Sequence, residues 1–183
     1  MDPRHAVLIA VEEEGPSGLV GRTLLQKKLY FASLLVKEDL DYRPHYYGPY
    51  SRSIADATDS LVSNRFLDEQ VEVFPQANLF GERRRHSYRI TSDGRELLES
   101  IDVVPDAGRW HEALRKINDH QFGTDFNLLS IAAKVMTVLT EVKKATGKDI
   151  SQRAAAYGWN LEPDAIGRVA EFLKYLGLVR ERA

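Results

Sequence analysis

Apolar and polar positions alternate along this chain in two rhythms, one near 3.6 residues and one of 2, and each predicts a different kind of element. From His5 to Glu14, Val7, Leu8 and Val11 share one side of a short helix, which Gly15-Pro16-Ser17-Gly18 stops. Gly21 to Val36 predicts a second helix, with Thr23, Gln26, Lys27, Tyr30 and Ser33 on one stripe. Leu24, Leu25, Leu29, Phe31, Ala32, Leu35 and Val36 fill the rest of its wheel, and so wide an apolar face implies burial on more than one side. Tyr42 to Tyr47 is extended by propensity, Pro44 makes it an edge or a connector, and Gly48-Pro49 signals a turn. Alternation there sends Tyr46 and Tyr47 to opposite sides, one packing near Tyr30 or Phe31 and the other exposed beside Tyr50 and Arg52. Ser51 or Ser53 then caps a third helix reaching Asn64, with Ile54, Ala57, Thr58, Leu61 and Val62 facing inward.

The period next switches to 2. Phe66 to Phe74 and Arg84 to Ile90 predict the two strands of a hairpin, joined by a Pro-, Asn- and Gly-bearing loop from Pro75 to Arg83. This is expected to be the only hairpin. Thr91 caps a further helix containing Leu97, Leu98 and Ile101. Val103 to Gly108 is a short linker, followed by a helix from Trp110 to His120. A long helix from Phe126 to Ala145 carries a Leu128, Ala132, Val135, Leu139, Val142 stripe, is expected to be largely buried, and ends at Gly147. Ser151 to Tyr157 and Glu162 to Leu176 complete the set, with Gly177 as a C-terminal stop. The expected fold is mainly α with a small β-hairpin: a winged helix-turn-helix over residues 1–102, a linker at 103–108, and a helical module over 109–183. Ile54 to Gln70 aligns without gaps to Ile166 to Arg182, which reads either as a second, wingless helix-turn-helix or as chance likeness between amphipathic helices.

Composition changes this picture only at the margins. The chain has 183 residues, no cysteine and a net charge of −2, which excludes disulfides, thiolate zinc sites and thiol nucleophiles and gives no global attraction to nucleic acid. Residues 1–104 hold 13 basic and 17 acidic side chains, a net of −4, and the remainder nets +2. With no signal-peptide pattern and no apolar run near the roughly 20 residues of a membrane span, a cytoplasmic location is expected.

Any nucleic-acid contact must therefore be local. The outward stripe of the third helix is Arg52, Asp56, Asp59 and Ser63, two carboxylates against one arginine, and Arg52 and Asp56 are spaced to pair with each other. Arg83, Arg84 and Arg85 form the one dense positive run and fall at the hairpin, where they either grip phosphates or stand solvated. Arg22 and Lys27 are further candidates for DNA contact. Tyr47, Tyr50, Leu79 and Phe80 are candidates for contact with a protein partner. Lys28 sits on the apolar side of its helix, where it either snorkels or pairs with a carboxylate from the third helix or the hairpin. The five histidines lack metal-ligand spacing, and phosphate-loop, nucleophile-elbow and kinase motifs are missing, so no metal, cofactor or catalytic activity is expected.

Leu25-Gln26-Lys27-Lys28-Leu29-Tyr30-Phe31 followed by Tyr46-Tyr47-Gly48-Pro49-Tyr50-Ser51 resembles the YwgA-like winged-helix proteins and, more distantly, the Panacea (SocA-like) antitoxin domain. Tyr88 to Leu98 looks like the wing-to-helix passage of many prokaryotic winged-helix regulators. The resemblance covers roughly residues 5 to 101 and implies a regulatory or toxin-neutralising setting, with no catalytic residues carried over. Two functions follow as expectations. One is a dimeric DNA-binding regulator, transcriptional or defence-associated, that contacts phosphates through the wing. The other is a protein-interaction module, antitoxin-like or adaptor, without DNA binding.

Overall fold

A computed structural model describes residues 1–75, 84–103, 105–142 and 144–180. Helix α1 (Pro3–Glu12) opens with Asp2 as cap and is walled in from Ala6 to Val11, all buried. A two-residue strand β1 (Leu19–Val20) precedes α2 (Arg22–Val36). Then come α3 (Arg52–Ser63), β2 (Leu67–Val73), β3 (Arg84–Ile90) and α4 (Ser92–Asp102). Helices α5 (Ala107–Asn118), α6 (Phe126–Val142), α7 (Gly147–Ala155) and α8 (Pro163–Leu176) complete the described chain. It is mainly helical, with one small antiparallel sheet.

That sheet has three strands in the order β1-β3-β2. Leu67 faces Ile90 and Val73 faces Arg84 in the hairpin, while Leu19 faces Tyr88 across the other edge. The third strand corrects the expectation of a hairpin alone. Two residues are too few to show a period, and the backbone of Gly18 supplies the missing signal. A Cβ there would lie 2.4 Å from the Tyr88 carbonyl oxygen, so only glycine lets β1 approach β3.

The wide apolar face of α2 is explained by its neighbours: α1 on one side, α5 and α6 on others. Even its polar stripe is mostly buried, at Gln26, Lys27, Tyr30 and Ser33, with Thr23 partly exposed. Trp110, Leu114 and Ile117 of α5 are fully buried and belong to the same continuous core as α1 and α2. The expected linker is correspondingly short. Ala107 and Gly108 already belong to α5, and Arg109 donates to the carbonyl of Val36 at the end of α2. Lys28 is fully buried and ion-paired, but its carboxylate partner is Glu14 beyond α1, with Asn118 of α5 accepting a second bond at 2.8 Å. Neither the third helix nor the hairpin supplies that partner.

In the second half, α6 is buried mainly through Leu129, Ala132, Ala133, Val135, Met136 and Val138 and packs against α2 and α8. Leu128, Leu139 and Val142 of the expected stripe are half-buried. Gly147 does not end this helix; it begins α7, where Thr146 and Asp149 form a reciprocal capping box. The aligned segments around Ile54 and Ile166 do share a local geometry. Phe66 N–H donates to Leu61 O at 2.9 Å after Arg65 at positive φ, and Leu178 N–H donates to Leu173 O at 3.0 Å after Gly177. Helices α2 and α7 end the same way, at Lys37 and Gly158, so this geometry is a helix terminus that recurs in the chain. Among the described residues no helix is long and apolar enough to cross a membrane.

Candidate functional site

Among the described residues, the connection from α2 to α3 carries three of the exposed aromatic side chains, Tyr46, Tyr47 and Tyr50. It is anchored by Gln26, whose side-chain amide donates to Ser51 O at 2.9 Å and accepts from Ser51 N–H at 3.0 Å, imitating a strand pair. Ser51 Oγ donates to Leu40 O at 2.6 Å and also caps α3. Arg43 and Tyr50 exchange two backbone bonds of 2.9 Å, and His45 and Gly48 exchange two more, so residues 43–50 form a miniature hairpin closed over Tyr46 and Tyr47.

This corrects the expected alternation. Tyr46 and Tyr47 occupy the two central positions of a turn, where side chains are not sent to opposite faces of a strand, and both point outward, 69% and 51% exposed. Their rings meet edge to face at 4.9 Å. Tyr42 takes the inward place instead, its ring against Tyr30 at 5.1 Å and its hydroxyl donating to Gln26 O at 2.9 Å. Burial pushes the phenols of Tyr42 and Tyr30 upward, the latter to about 12. Gly48 has φ of +102°, which a side chain would strain, and it rests on the stems of Lys27 and Lys134.

Beneath the turn lies a cavity of about 160 Å³ bounded by α2, α3 and the turn itself. Lys27 reaches it from α2. Only 2% exposed, its ammonium donates to Pro49 O at 2.7 Å. Burial and then the nearby charge of Lys134 pull it down to about 7, far below an ordinary lysine. From the other side Trp159 Nε1–H donates to His45 O at 2.9 Å, and Lys134 stands over the Trp159 ring. Nothing near Tyr46 in the sequence pointed to Lys134 or Trp159, because they arrive from α6 and the segment after α7.

The remaining candidates divide. Lys27 is buried and cannot meet a DNA phosphate, a correction to its expected role. Arg22 donates to Tyr88 Oη at 2.8 Å and ion-pairs with Asp59 and Glu69 at 3.3 and 3.1 Å. Burial opposes charge on Glu69, but bonds from His86, Tyr88 and Arg22 outweigh it and leave its carboxyl below the usual range. Arg52 pairs with Asp56 at 3.4 Å, as its spacing implied, and both are exposed. Arg85 pairs with Glu72 at 2.5 Å and lies over the Phe74 ring, whereas Arg84 is exposed at the start of β3. Arg83, Leu79 and Phe80 lie outside the described residues. Tyr47 and Tyr50 are exposed, as is Tyr46. Among the described residues no group of three His, Cys, Asp or Glu side chains could hold a metal ion. Neither a family model nor a curated protein matches the chain.

Proposed function

We propose that this chain is a winged-helix protein that works as a protein-interaction module, docking its partner on the tyrosine turn and the adjoining start of α3. The element order α1-β1-α2-α3-β2-β3-α4 and the β1-β3-β2 sheet support the winged-helix reading. They agree with the resemblance to YwgA-like proteins and the Panacea domain. The observation that carries the function is the pairing of Tyr46 and Tyr47 as exposed rings in mutual edge-to-face contact, a few residues before the exposed Arg52. Aromatic side chains and arginine dominate binding energy at protein interfaces, since they offer large area for few lost rotamers. The charge pattern argues in the same direction. Arg22 and Arg52 on the α2–α3 face are each engaged by carboxylates, so phosphates approaching there would meet Asp56 and Asp59.

A second reading, a DNA-binding regulator, has the exposed Arg84 and Arg89 of β3 in its favour. One experiment separates the two. A photo-crosslinking amino acid at position 46, in the native cell, should attach covalently to one specific protein, and an exposed control position such as Glu99 should not. The purified partner should bind Tyr46→Ser/Tyr47→Ser at least about tenfold more weakly than the parent, a loss usual for hot-spot aromatics. The interaction reading fails if no specific adduct forms. It also fails if the chain binds duplex DNA at low salt with a salt dependence that Arg84→Ala/Arg85→Ala flattens by about two units.

A further inference from the structure

We propose that the cavity beneath the tyrosine turn is a binding site for a small organic monocarboxylate, with the Lys27 ammonium as its anchor and the Tyr46–Gly48 turn as its cover. An ammonium has three N–H donors. Among the described residues Lys27 has one acceptor, the Pro49 carbonyl, and its charged neighbour Lys134 is another cation. Burying a lysine without a carboxylate is costly, and a fold retains such a group where something else benefits from it. Lys28, one residue along, is the internal contrast: equally buried, it has Glu14 and Asn118. Of the two, Lys27 is the one that lines a hollow.

The hollow selects the ligand's size and character. At about 160 Å³ it compares with the cavity of roughly 150 Å³ that holds a benzene molecule in an engineered protein core. Leu25, Ala55 and the rings of Tyr47 and Tyr50 contribute apolar wall, which suits a compact hydrocarbon body behind a single anionic head. Among the described residues, the charged and titratable groups around it are Arg22, His45, Tyr47, Tyr50, Asp59, Tyr88 and, behind Gly48, Lys134. The one carboxylate among these, Asp59, is exposed and held by Arg22 at 3.3 Å, so it does not neutralise Lys27. Gly48 fits the role of cover because a Cβ at that position would sit 3.5 Å from the Lys27 nitrogen, in the space between turn and ammonium. With Lys27 titrating near neutrality, anion binding must take up a proton above that range, so affinity falls as pH rises.

The site is independent of the docking reading, and its test uses ligand binding alone. Benzoate is the probe, benzamide its uncharged counterpart and inorganic phosphate the purely polar anion, each titrated calorimetrically into the full chain. Benzoate should bind, benzamide and phosphate should bind at least tenfold more weakly, and benzoate affinity should drop severalfold from about pH 6 to about pH 8, across which a carboxylate stays ionised. Lys27→Met should abolish benzoate binding without lowering the melting temperature. Ala55→Leu, which fills the cavity and leaves the lysine in place, should abolish it too. The proposal is overturned if benzoate fails to bind at millimolar concentration or binds Lys27→Met as well as the parent. It is equally overturned if affinity ignores pH, if benzamide matches benzoate, or if phosphate binds and benzoate does not.

Discussion

Gly48 and Lys27 meet at the point where a single side chain changes the most. Gly48→Val introduces a β-branched residue at φ of +102° and drives its methyls toward the stems of Lys27 and Lys134. The expected cost is about 1–3 kcal/mol, seen as a lower melting temperature. Lys27→Met should do the opposite under acidic conditions. Its folded pKa, about 7, lies below the 10.5 of an ordinary lysine, so the unfolded chain binds the extra proton between those values. Stability contributed by this site is therefore lowest below about pH 7 and rises toward pH 10. Lys27→Met should be more stable than the parent at pH below 7 and should lack that rising limb, measured by denaturant unfolding across the pH series. The sequence placed Lys27 on the polar stripe of its helix and therefore offered it to solvent. A one-dimensional stripe cannot reveal that α6 and the tyrosine turn cover the same face. The tyrosines show the same limit. Tyr42, Tyr46 and Tyr47 are interchangeable by propensity, and which one turns inward depends on backbone bonds that Gly48 and Tyr50 make to His45 and Arg43.

Among the elements, helix ends were more legible than strand edges. Thr91, Ser51 and Gly177 take the capping positions their chemistry implies, because a cap is decided within four residues of chain. Gly147 misled for a related reason: glycine serves at either end of a helix, and only the Thr146–Asp149 pair marks it here as a beginning. Two caps give contrasting expectations. Thr146→Ala removes an exposed capping box and should cost about 1 kcal/mol. Ser51→Ala should cost more, about 1–2 kcal/mol, because its fully buried hydroxyl also donates to Leu40 O, leaving that carbonyl only the longer 3.3 Å bond from Ser53 Oγ. Thermal melts of the two variants side by side check the order. Strand β1 escaped notice since its pairing depends on Tyr88, far along the chain. Val71 and Val73 of β2 alternate as core residues do, yet both are exposed, since the hairpin extends past the body that buries Leu67.

At the scale of the whole molecule the two expected modules share one interior. Helices α5 and α6 pack on α2, and Glu14, Lys28 and Asn118 join the segment after α1 to α2 and α5 through partly buried polar bonds. Circular dichroism and tryptophan fluorescence should accordingly report one coincident unfolding transition. Separate transitions would support the division near residue 103. Glu14→Ala should lower stability by about 3–5 kcal/mol by leaving the Lys28 charge buried and unpaired, and Lys28→Met in the same chain should recover most of it. The hydrogen bond from Trp159 to His45 has a practical side as well. The protein has two tryptophans, and Trp110 is sealed in the core while Trp159 touches the underside of the tyrosine turn. Trp110→Phe would leave a single indole whose emission wavelength responds to that one carbonyl and to the cation above its ring. The molecule thus carries its own optical gauge, placed so that lifting or seating the turn becomes a colour change readable in a cuvette without any attached dye.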